Sequence, residues 1–323
     1  AGFDRADEVD YMLSAHSIQA QSVAVIRNGV ISEERAFGRS SADRAAATDT
    51  IYNAASLAKP VSAMVALRLI DAGLLDLDEP LANSFVDPDL AGSTWASKVT
   101  VRMVLSHTSG LPNWRRLDDG GHGKLRFVSE PGTVYGYSGE GFEWLRKAIE
   151  HKTRQGWESL AQQFVFKPAQ MNSSSFLYPA RSDVRTASRY KTTGEPVESH
   201  HIANAAANLM TTAGDYARFL IFVMQGRGLS KELAAAMLSE QVTIDDRKSF
   251  GLGWQLLPGL KGGKVAIQHS GSDRGVRALA LAWPDRQEGI VILSNSDNAT
   301  PTWGIILKEQ FGSAGEEILQ HNE

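Results

Sequence analysis

The chain has 323 residues, of which 42% are hydrophobic and 22% are charged, a composition typical of a folded globular protein that buries a sizeable core. The formal net charge is -4 and no run of Lys or Arg forms the basic stripe that a nucleic-acid backbone requires, so nucleic acid is not an expected partner. The chain has no cysteine, which excludes disulfides, thiolate metal sites and a cysteine nucleophile.

The first part of the chain predicts a helix, a hairpin and a second helix. Residues 4–18 fit an amphipathic helix, and two β-prone runs flank Asn28-Gly29, a dipeptide typical of a two-residue hairpin turn. A longer buried helix follows, because apolar residues recur at mostly helical spacing over residues 61–74 and Gly73 provides its end.

The section from residue 76 to residue 239 has a different texture, because Pro and Gly interrupt it at short intervals. No clear strand pattern occurs there. Helical patterns are predicted at residues 100–106, 140–152, 156–165 and 212–225. The section therefore predicts a mainly helical insertion with long loops.

Strand patterns return near the end of the chain, at residues 249–257, 264–271, 276–284 and 289–296, before a closing helix from about Thr302. In the third of these strands Ala278, Ala280 and Ala282 alternate with larger apolar residues. One face of the sheet is therefore lined by methyl groups, which lets a helix approach it closely.

These elements predict an α/β (α+β) fold with an antiparallel sheet of about five strands. The early hairpin and the late strands form the sheet, the first and last helices cover one face, and the helix at residues 61–74 covers the other. Residues 1–75 and 240–323 are predicted to form this α/β lobe, and residues 76–239 a mainly helical lobe. A cleft between the lobes is the expected place of a site.

The stretch Ser56-Leu57-Ala58-Lys59 places a serine and a lysine one turn apart if a helix begins near Ser56. Pro60 supports that start, because proline is tolerated mainly in the first turn of a helix. Free backbone N–H groups at a helix start stabilise an oxyanion, and a buried lysine with a lowered pKa accepts a serine proton. The spacing alone is common, and Ser188 and Lys191 repeat it.

Two other stretches supply groups that such a serine needs. Tyr137, Ser138 and Gly139 lie in a Gly-rich loop before a predicted helix, which projects a phenol and a hydroxyl toward the cleft. His269-Ser270-Gly271 ends a predicted strand, where main-chain N–H groups face a substrate. Each stretch is weak evidence when it is considered alone.

Three stretches occur in a fixed order along the chain: SLAK from Ser56, YSG from Tyr137 and HSG from His269. This ordered set resembles the three motifs of the serine β-lactamase and penicillin-binding-protein superfamily, and its spacing suits the class C branch, which includes D-peptidases and esterases. Residues 73–81 and 105–112 also look like that branch. The resemblance covers nearly the whole chain and implies a β-lactamase/transpeptidase-like fold.

The resemblance also implies roles for individual residues. Ser56 is expected to form an acyl-enzyme, with Lys59 and Tyr137 exchanging its proton as general base and then general acid. Which of these two is the base stays open at this point. The backbone N–H groups of Ser56 and Ser272 are expected to form the oxyanion hole. The substrate-binding positions implied are Gly139, His269, Ser270 and Gly271.

Two positions depart from the pattern of the superfamily. Gly139 stands where lactamases and peptidases often have Asn, so a side-chain amide is missing, which favours ester over amide or β-lactam hydrolysis. His269 stands where many lactamases have Lys. An unperturbed histidine titrates near pH ~6.5, so we expect an acidic substrate held by His269 to bind more weakly as pH rises through neutrality.

The sequence therefore favours an esterase that uses Ser56. A D-amino-acid peptidase, a DD-carboxypeptidase or a β-lactamase is the alternative within enzymes, and a non-hydrolytic penicillin-binding-like protein is the alternative outside them. The expected partner is a small ester, a β-lactam or a D-peptide. Trp114, Phe142 and Trp254 are candidates for lining an acyl pocket.

No cofactor or metal is expected, because the adjacent His200 and His201 do not belong to an H-E-x-x-H motif. No apolar run approaches the ~20 residues of a membrane span, and no basic-then-apolar leader is present. The chain begins at Ala1 without a methionine, so a periplasmic or secreted location and a cytoplasmic one both stay open. The sequence does not indicate an oligomeric state.

Overall fold

The computed structural model describes residues 6–115, 123–177, 183–197 and 204–323. The α-helices in these ranges are α1 (Ala6–Ala15), α2 (Ala58–Asp71), α3 (Val101–Leu105), α4 (Gly139–Thr153), α5 (Trp157–Ala161), α6 (Ala213–Met224), α7 (Lys231–Met237), α8 (Pro301–Phe311) and α9 (Ser313–His321). Within the described ranges, no helix combines the length and the apolar character that crossing a bilayer requires.

The strands are mostly long in the first and last parts of the chain and short between them. They are β1 (Ala20–Arg27), β2 (Val30–Ser41), β3 (Arg44–Ala45), β4 (Tyr52–Asn53), β5 (Arg189–Tyr190), β6 (Pro196–Val197), β7 (Met210–Thr211), β8 (Val242–Thr243), β9 (Ser249–Phe250), β10 (Gln255–Leu260), β11 (Lys264–Asp273), β12 (Val276–Trp283) and β13 (Glu288–Ser294).

Nine of the described strands form one antiparallel sheet in the order β3-β2-β1-β13-β12-β11-β10-β9-β8. The prediction that the early hairpin joins the late strands is confirmed, because β1 pairs with β13. The sheet is larger than the expected five strands, partly because the two-residue strands β3, β8 and β9 extend its edges. Such short edge strands offer few unpaired backbone groups to another chain.

The turn between β1 and β2 is the predicted two-residue hairpin. Arg27 pairs with Val30 across it, and Asn28 and Gly29 both have positive φ, at 52° and 73°. Both central residues of a type I′ turn need this conformation, and the twist of that turn matches the twist of the strands that it joins. The dipeptide therefore fixes the start of the sheet locally.

The two faces of the sheet pack as the alternation along β12 predicts. Its alanines belong to the larger hydrophobic cluster, which includes α2 and α6, and α6 lies directly against β1, β2, β12 and β13. Leu279, Leu281 and Trp283 belong to a second cluster with α1, α8 and α9. The methyl-lined face thus receives a helix closely, and the bulky face is covered by the terminal helices.

The middle section contains α3 to α7 and, among the described residues, only two-residue strands. The predicted helices at 100–106, 140–152 and 212–225 correspond to α3, α4 and α6 within two residues at each end. Its separation as a lobe stays a prediction, and α6 lies within that range although it packs on the sheet.

Two long-range contacts bring the site together. Strand β4, which leads into Ser56, pairs with β7 through Tyr52 and Thr211, and this pairing carries residues 204–209 alongside the start of α2. Strand β11 lies against the short 3-10 turn Ala55–Leu57 from the other side. The segment that holds Ser56 is therefore enclosed by two parts of the chain that follow it by about 150 and 210 residues.

Candidate active site

The turn that carries Ser56 is fixed by hydrogen bonds on both sides. Ala55 has φ 47°, an uncommon conformation for a residue with a Cβ atom, and its N–H donates to Asn53 Oδ1 at 2.8 Å. The N–H of Ala54 donates to the Leu209 carbonyl at 2.8 Å, and the Tyr216 hydroxyl donates to the Leu57 carbonyl at 2.8 Å. Strain of this kind persists only where the surroundings over-determine it, and it is common at active sites.

Helix α2 begins two residues after Ser56, with Pro60 in its first turn as predicted. Lys59 therefore lies one turn further along the same side, and its Nζ atom is 3.3 Å from Ser56 Oγ. The lysine side chain is only 1% exposed, and Nζ also donates to the Ala206 carbonyl at 2.9 Å. The helix start thus places an amine within hydrogen-bond distance of the serine hydroxyl.

Burial controls the charge of Lys59. Loss of solvation lowers its pKa to about 7, although the nearby Glu143 carboxylate acts in the opposite direction. Near neutral pH a large fraction of the amine is therefore uncharged, and an uncharged amine accepts the proton of a serine hydroxyl.

Residues 204–208 form a loop that the sequence did not identify as part of the site. Asn204 Oδ1 accepts from the N–H groups of Ala206 and Ala207 at 2.8 and 3.0 Å, which folds the loop so that the Ala206 carbonyl reaches Lys59. Ala205 N–H donates to Glu143 on α4 at 3.1 Å. Two asparagines around three alanines are a turn signal, but nothing local indicates which lysine the turn meets.

Tyr137 faces the same serine from the start of α4. Its hydroxyl shares a hydrogen bond with the Ser56 side chain, and Lys59 Nζ lies 4.6 Å from the centre of its ring. Burial raises the pKa of Tyr137 above its usual value, against the effect of the bond to Ser56. The phenol therefore keeps its proton at neutral pH and serves as a hydrogen-bond donor.

His107 positions the tyrosine. The histidine lies in the turn after α3 and has a φ of 57°. The ring is also buried, lies 4.3 Å centroid to centroid from Tyr137, and accepts from the Ser138 N–H at Nδ1 at 3.0 Å. Burial lowers the pKa of His107 well below its usual value, so the imidazole is uncharged where it packs against the Tyr137 ring.

His269 lies on β11 beside the ring of Tyr137, and the centres of these two rings are 6.0 Å apart. It is 6% exposed, and its Nδ1 is 2.8 Å from the Ser270 carbonyl, which accepts its proton. Burial, with the Lys59 charge nearby, lowers the pKa of His269 to about 3. The expectation that this ring titrates near neutrality is therefore wrong, because a buried imidazole without a nearby carboxylate stays neutral.

The other residues of the third motif divide between the two sides of the sheet. A Cβ at Gly271 would lie 2.5 Å from the Ala54 carbonyl oxygen and 3.3 Å from Ser56 N, so glycine permits the close approach of β11. Ser272 lines a cavity with Ser56. Ser270 instead lines a cavity beside α8 and α9, so its predicted role in substrate binding is corrected for its side chain.

The cavity at Ser56 has a volume of about 420 Å³. Besides Ser56 and Ser272 its lining residues are Ala55, Trp114, Asn204, Ala207, Asn208 and Asp273. Of the three aromatic residues predicted to line an acyl pocket, Trp114 lines this cavity, and it is 42% exposed. Phe142 and Trp254 are fully buried in the core, so their assignment to this pocket is wrong.

Gly139 is the first residue of α4 and is buried next to Trp114. A Cβ at this position would lie 2.6 Å from both Cη2 and Cζ2 of the indole, a distance that real side chains do not tolerate. The missing side chain of the second motif is therefore replaced in space by the tryptophan.

The other Ser-x-x-Lys sequence is not a comparable pair. Ser188 and Lys191 flank the two-residue strand β5 and do not lie on a helix, and Lys191 pairs with Glu195 at 3.2 Å. The adjacent histidines His200 and His201 lie outside the described residues.

Comparisons with known proteins agree with this geometry. A family model described as Beta-lactamase matches residues 6–305. Penicillin-binding protein 4 of Amycolatopsis lactamdurans is 27% identical over 346 aligned residues, which cover 96% of this chain and 90% of that protein. Protein flp of Staphylococcus aureus is 22% identical over 310 residues, which cover 89% of this chain but 61% of that protein.

Solved structures share the fold at lower identity. The octameric penicillin-binding protein homologue from Pyrococcus abyssi has a TM-score of 0.78 and 21% identity, covering 91% of this chain and 74% of that one. A class C beta-lactamase has a TM-score of 0.76 and 22% identity, covering 92% of this chain and 93% of that one. The likeness extends over both the sheet and the helical middle section.

Proposed function

Because the chain belongs to the beta-lactamase family, we propose that it is a serine hydrolase that forms an acyl-enzyme on Ser56 and acts by preference on esters. The observation that carries the proposal is the 3.3 Å distance between Ser56 Oγ and the buried amine of Lys59. A serine hydroxyl is a weak nucleophile until a neighbouring base takes its proton.

In the proposed reaction Ser56 Oγ bonds to the ester carbonyl carbon while its proton moves to Lys59 Nζ. The ammonium then returns a proton, through the Tyr137 hydroxyl, to the alcohol oxygen as its bond to the carbonyl carbon breaks. Water attacks the acyl carbon, its proton follows the same route to Ser56 Oγ, and a carboxylic acid leaves. Lys59 is the base in this scheme because its pKa lies near 7, whereas burial raises that of Tyr137.

The charge that develops on the carbonyl oxygen needs N–H donors. We propose that the backbone N–H groups of Ser56 and Ser272 are these donors, since the two residues line one cavity. Gly271 allows β11 to approach the turn that carries Ser56. Donors of this kind typically contribute about 2.7 to 4 kcal/mol to the transition state.

The preference for esters rests on Gly139. This position offers no side-chain amide, and the indole of Trp114 occupies the space into which one would extend. Two asparagine side chains line the same cavity, but their Oδ1 atoms already accept hydrogen bonds from the protein. Asn204 Oδ1 accepts from backbone N–H groups of its own loop, and Asn208 Oδ1 accepts from Asn53 Nδ2. An acyl group with its own amide thus loses a partner at Gly139, whereas a simple ester does not need one.

A D-peptide or a penicillin is the second candidate substrate. It is favoured by the relative whose alignment covers 96% of this chain and 90% of its own length, which bears the name Penicillin-binding protein 4. Both candidates use the same serine and the same acyl-enzyme, so they differ in the acyl group that the cavity accepts.

The test follows the intact mass of the protein after incubation with a fluorophosphonate, a short p-nitrophenyl ester and benzylpenicillin. We expect a fluorophosphonate adduct and ester turnover by the wild type, and neither by Ser56→Ala. Ser188→Ala is the matched control, because it removes the serine of the other Ser-x-x-Lys sequence, and it should behave as the wild type.

Two results would contradict the proposal in different ways. A long-lived penicillin adduct without ester turnover would favour the second candidate. The absence of every adduct and of turnover would indicate a protein that binds without hydrolysing.

A further inference from the structure

The indole of Trp114 packs against Gly139 so closely that a side chain at position 139 would overlap it. Two atoms of the indole lie 2.6 Å from the place of a Cβ there, and a third lies at 2.9 Å. The same indole is 42% exposed and lines the cavity of Ser56. One side chain therefore fills the space beside the start of α4 and presents a flat apolar surface to the cavity.

The backbone on both sides of Trp114 is tied to α4. Before it, the Asn113 carbonyl accepts from Glu140 N–H at 2.9 Å, and Asn113 Oδ1 accepts from Gly139 N–H at 2.9 Å. After it, Arg115 donates to both carboxylate oxygens of Glu140 and to Asp87. The backbone that carries the indole is thus held against the start of α4 by a network of hydrogen bonds.

Two other polar side chains of the cavity have partners within the protein. Asp273 pairs with the buried Arg189 at 2.8 Å, and the side-chain Oδ1 of Asn204 accepts from its own loop. The indole is the largest apolar side chain of the lining, and aromatic rings gain most when they stack on another flat group.

Resting on the ester hydrolysis proposed above, we propose that Trp114 and Gly139 together determine the acyl specificity. The indole stacks on a flat apolar group carried by the acyl part of the substrate, and Gly139 is required to leave room for it. The substrate class is then esters of arylacetic or similar flat apolar carboxylic acids, and not acyl groups that carry an amide next to the carbonyl.

The first experiment measures kcat/KM for p-nitrophenyl phenylacetate and p-nitrophenyl acetate. Trp114→Ala should lower the value for the phenylacetate roughly tenfold, and the value for the acetate by less than about twofold, because only the aryl group loses a stacking partner. In a second series the acyl group is fixed as acetyl and the alcohol is varied. An effect of Trp114→Ala confined to that series would overturn the assignment to the acyl side.

The second experiment is a double-mutant cycle with Gly139→Ala. Alone, this change should lower kcat/KM for both esters about tenfold or more and lower Tm, because the new methyl group meets the indole. In the Trp114→Ala background its effect should fall below about twofold. Gly156→Ala is the matched control, because a Cβ added there would have no packing neighbour within 4 Å among the described residues. Equal effects of Gly139→Ala in both backgrounds would overturn the proposal.

A third readout separates failure of this proposal from failure of the ester assignment. Labelling rates of Ser56 with an aryl-substituted and an alkyl-substituted fluorophosphonate need no turnover. If the wild type hydrolyses no ester, the ester assignment fails, and a faster aryl reaction that Trp114→Ala abolishes still supports the role of the indole. Equal aryl and alkyl rates in both proteins would reject it.

Discussion

Two parts of the site differ in how their side chains are held. We call Ser56, Lys59 and Tyr137 the floor, and residues 113–115 with Gly139 the rim. On the floor, Lys59 is buried and Tyr137 is half-buried, and the side chains of both residues contact Ser56. At the rim, the backbone is tied to α4 but the Trp114 ring faces the cavity. In the proposed function the floor carries out the reaction, and in the proposed specificity the rim selects the acyl group.

Lys59 on the floor and His269 beside Tyr137 are two buried nitrogen bases that behave differently. Burial lowers the pKa of Lys59 from 10.5 to about 7, which brings it into the working range, and lowers that of His269 from 6.5 to about 3, which takes it out of that range. A similar loss of solvation therefore makes one group reactive and the other inert, because their ordinary pKa values differ.

Replacement of Lys59 by Met should have the largest effect on the floor. We expect kcat/KM to fall by about 10³, since general bases typically contribute 10²- to 10⁴-fold. The free energy of unfolding should rise by roughly 3 kcal/mol at pH 6, because the wild type must hold a charge that burial disfavours.

The stability gain of Lys59→Met should be smaller at pH 9. Below the folded pKa of about 7 the wild type carries the full penalty for the buried charge, and the penalty declines as pH rises toward the unfolded value of 10.5. Urea titrations at the two pH values measure this, with Lys191→Met as the control on the surface. An equal gain at both values would contradict the lowered pKa of Lys59.

Tyr137→Phe should have the next largest effect. The ring keeps its packing against His107, whereas the hydroxyl that bonds to Ser56 is lost. We expect kcat/KM for a p-nitrophenyl ester to fall by about 10² with little change in Tm, because proton transfer and not packing is affected. A fall in Tm of more than about 5 °C would instead assign the hydroxyl a structural role.

Glu143→Gln should shift the pH dependence of the floor without removing a reacting group. For a neutral ester we expect wild-type kcat/KM to rise with pH through about 7, because only uncharged Lys59 accepts the serine proton. The Glu143 carboxylate acts to raise the pKa of Lys59, so its neutralisation should move this rise to lower pH. A rise that stays in place would show that Glu143 does not influence Lys59.

Arg115→Lys should have the smallest effect on the reaction and should act at the rim. Lysine replaces the forked contacts of Arg115 with Glu140 and Asp87 by a single point charge, which loosens the loop that carries Trp114. We expect KM for p-nitrophenyl phenylacetate to rise about threefold while kcat stays unchanged. The pH at which kcat/KM increases should also stay the same. A change in the pH dependence would break the distinction between floor and rim.

Much of the fold follows from local patterns in the sequence. Asn28-Gly29 specifies its turn through the φ values that the turn needs, and the alternation along β12 assigns its residues to the two faces of the sheet. The adjacency of Ser56 and Lys59 follows from one turn of helix with Pro60 near its start.

Other features of the site depend on contacts that no local pattern contains. The Ala206 carbonyl reaches Lys59 because β7 pairs with β4. The Ser270 side chain, which was expected to bind substrate, lines instead a cavity that residues of α8 and α9 form with the sheet. Phe142 and Trp254 have the composition of an acyl pocket but lie in the core. Aromatic residues serve both purposes, so composition does not distinguish them.

Local patterns in the chain specify its helices and long strands, the order of the motifs and the absence of a side chain at Gly139. The packing of distant stretches lowers the pKa of Lys59 to about 7, keeps His269 neutral and places Trp114 in the space beside Gly139. Periodicity and the spacing of neighbours are properties of a short stretch of chain. Desolvation and steric exclusion arise instead where distant stretches pack together.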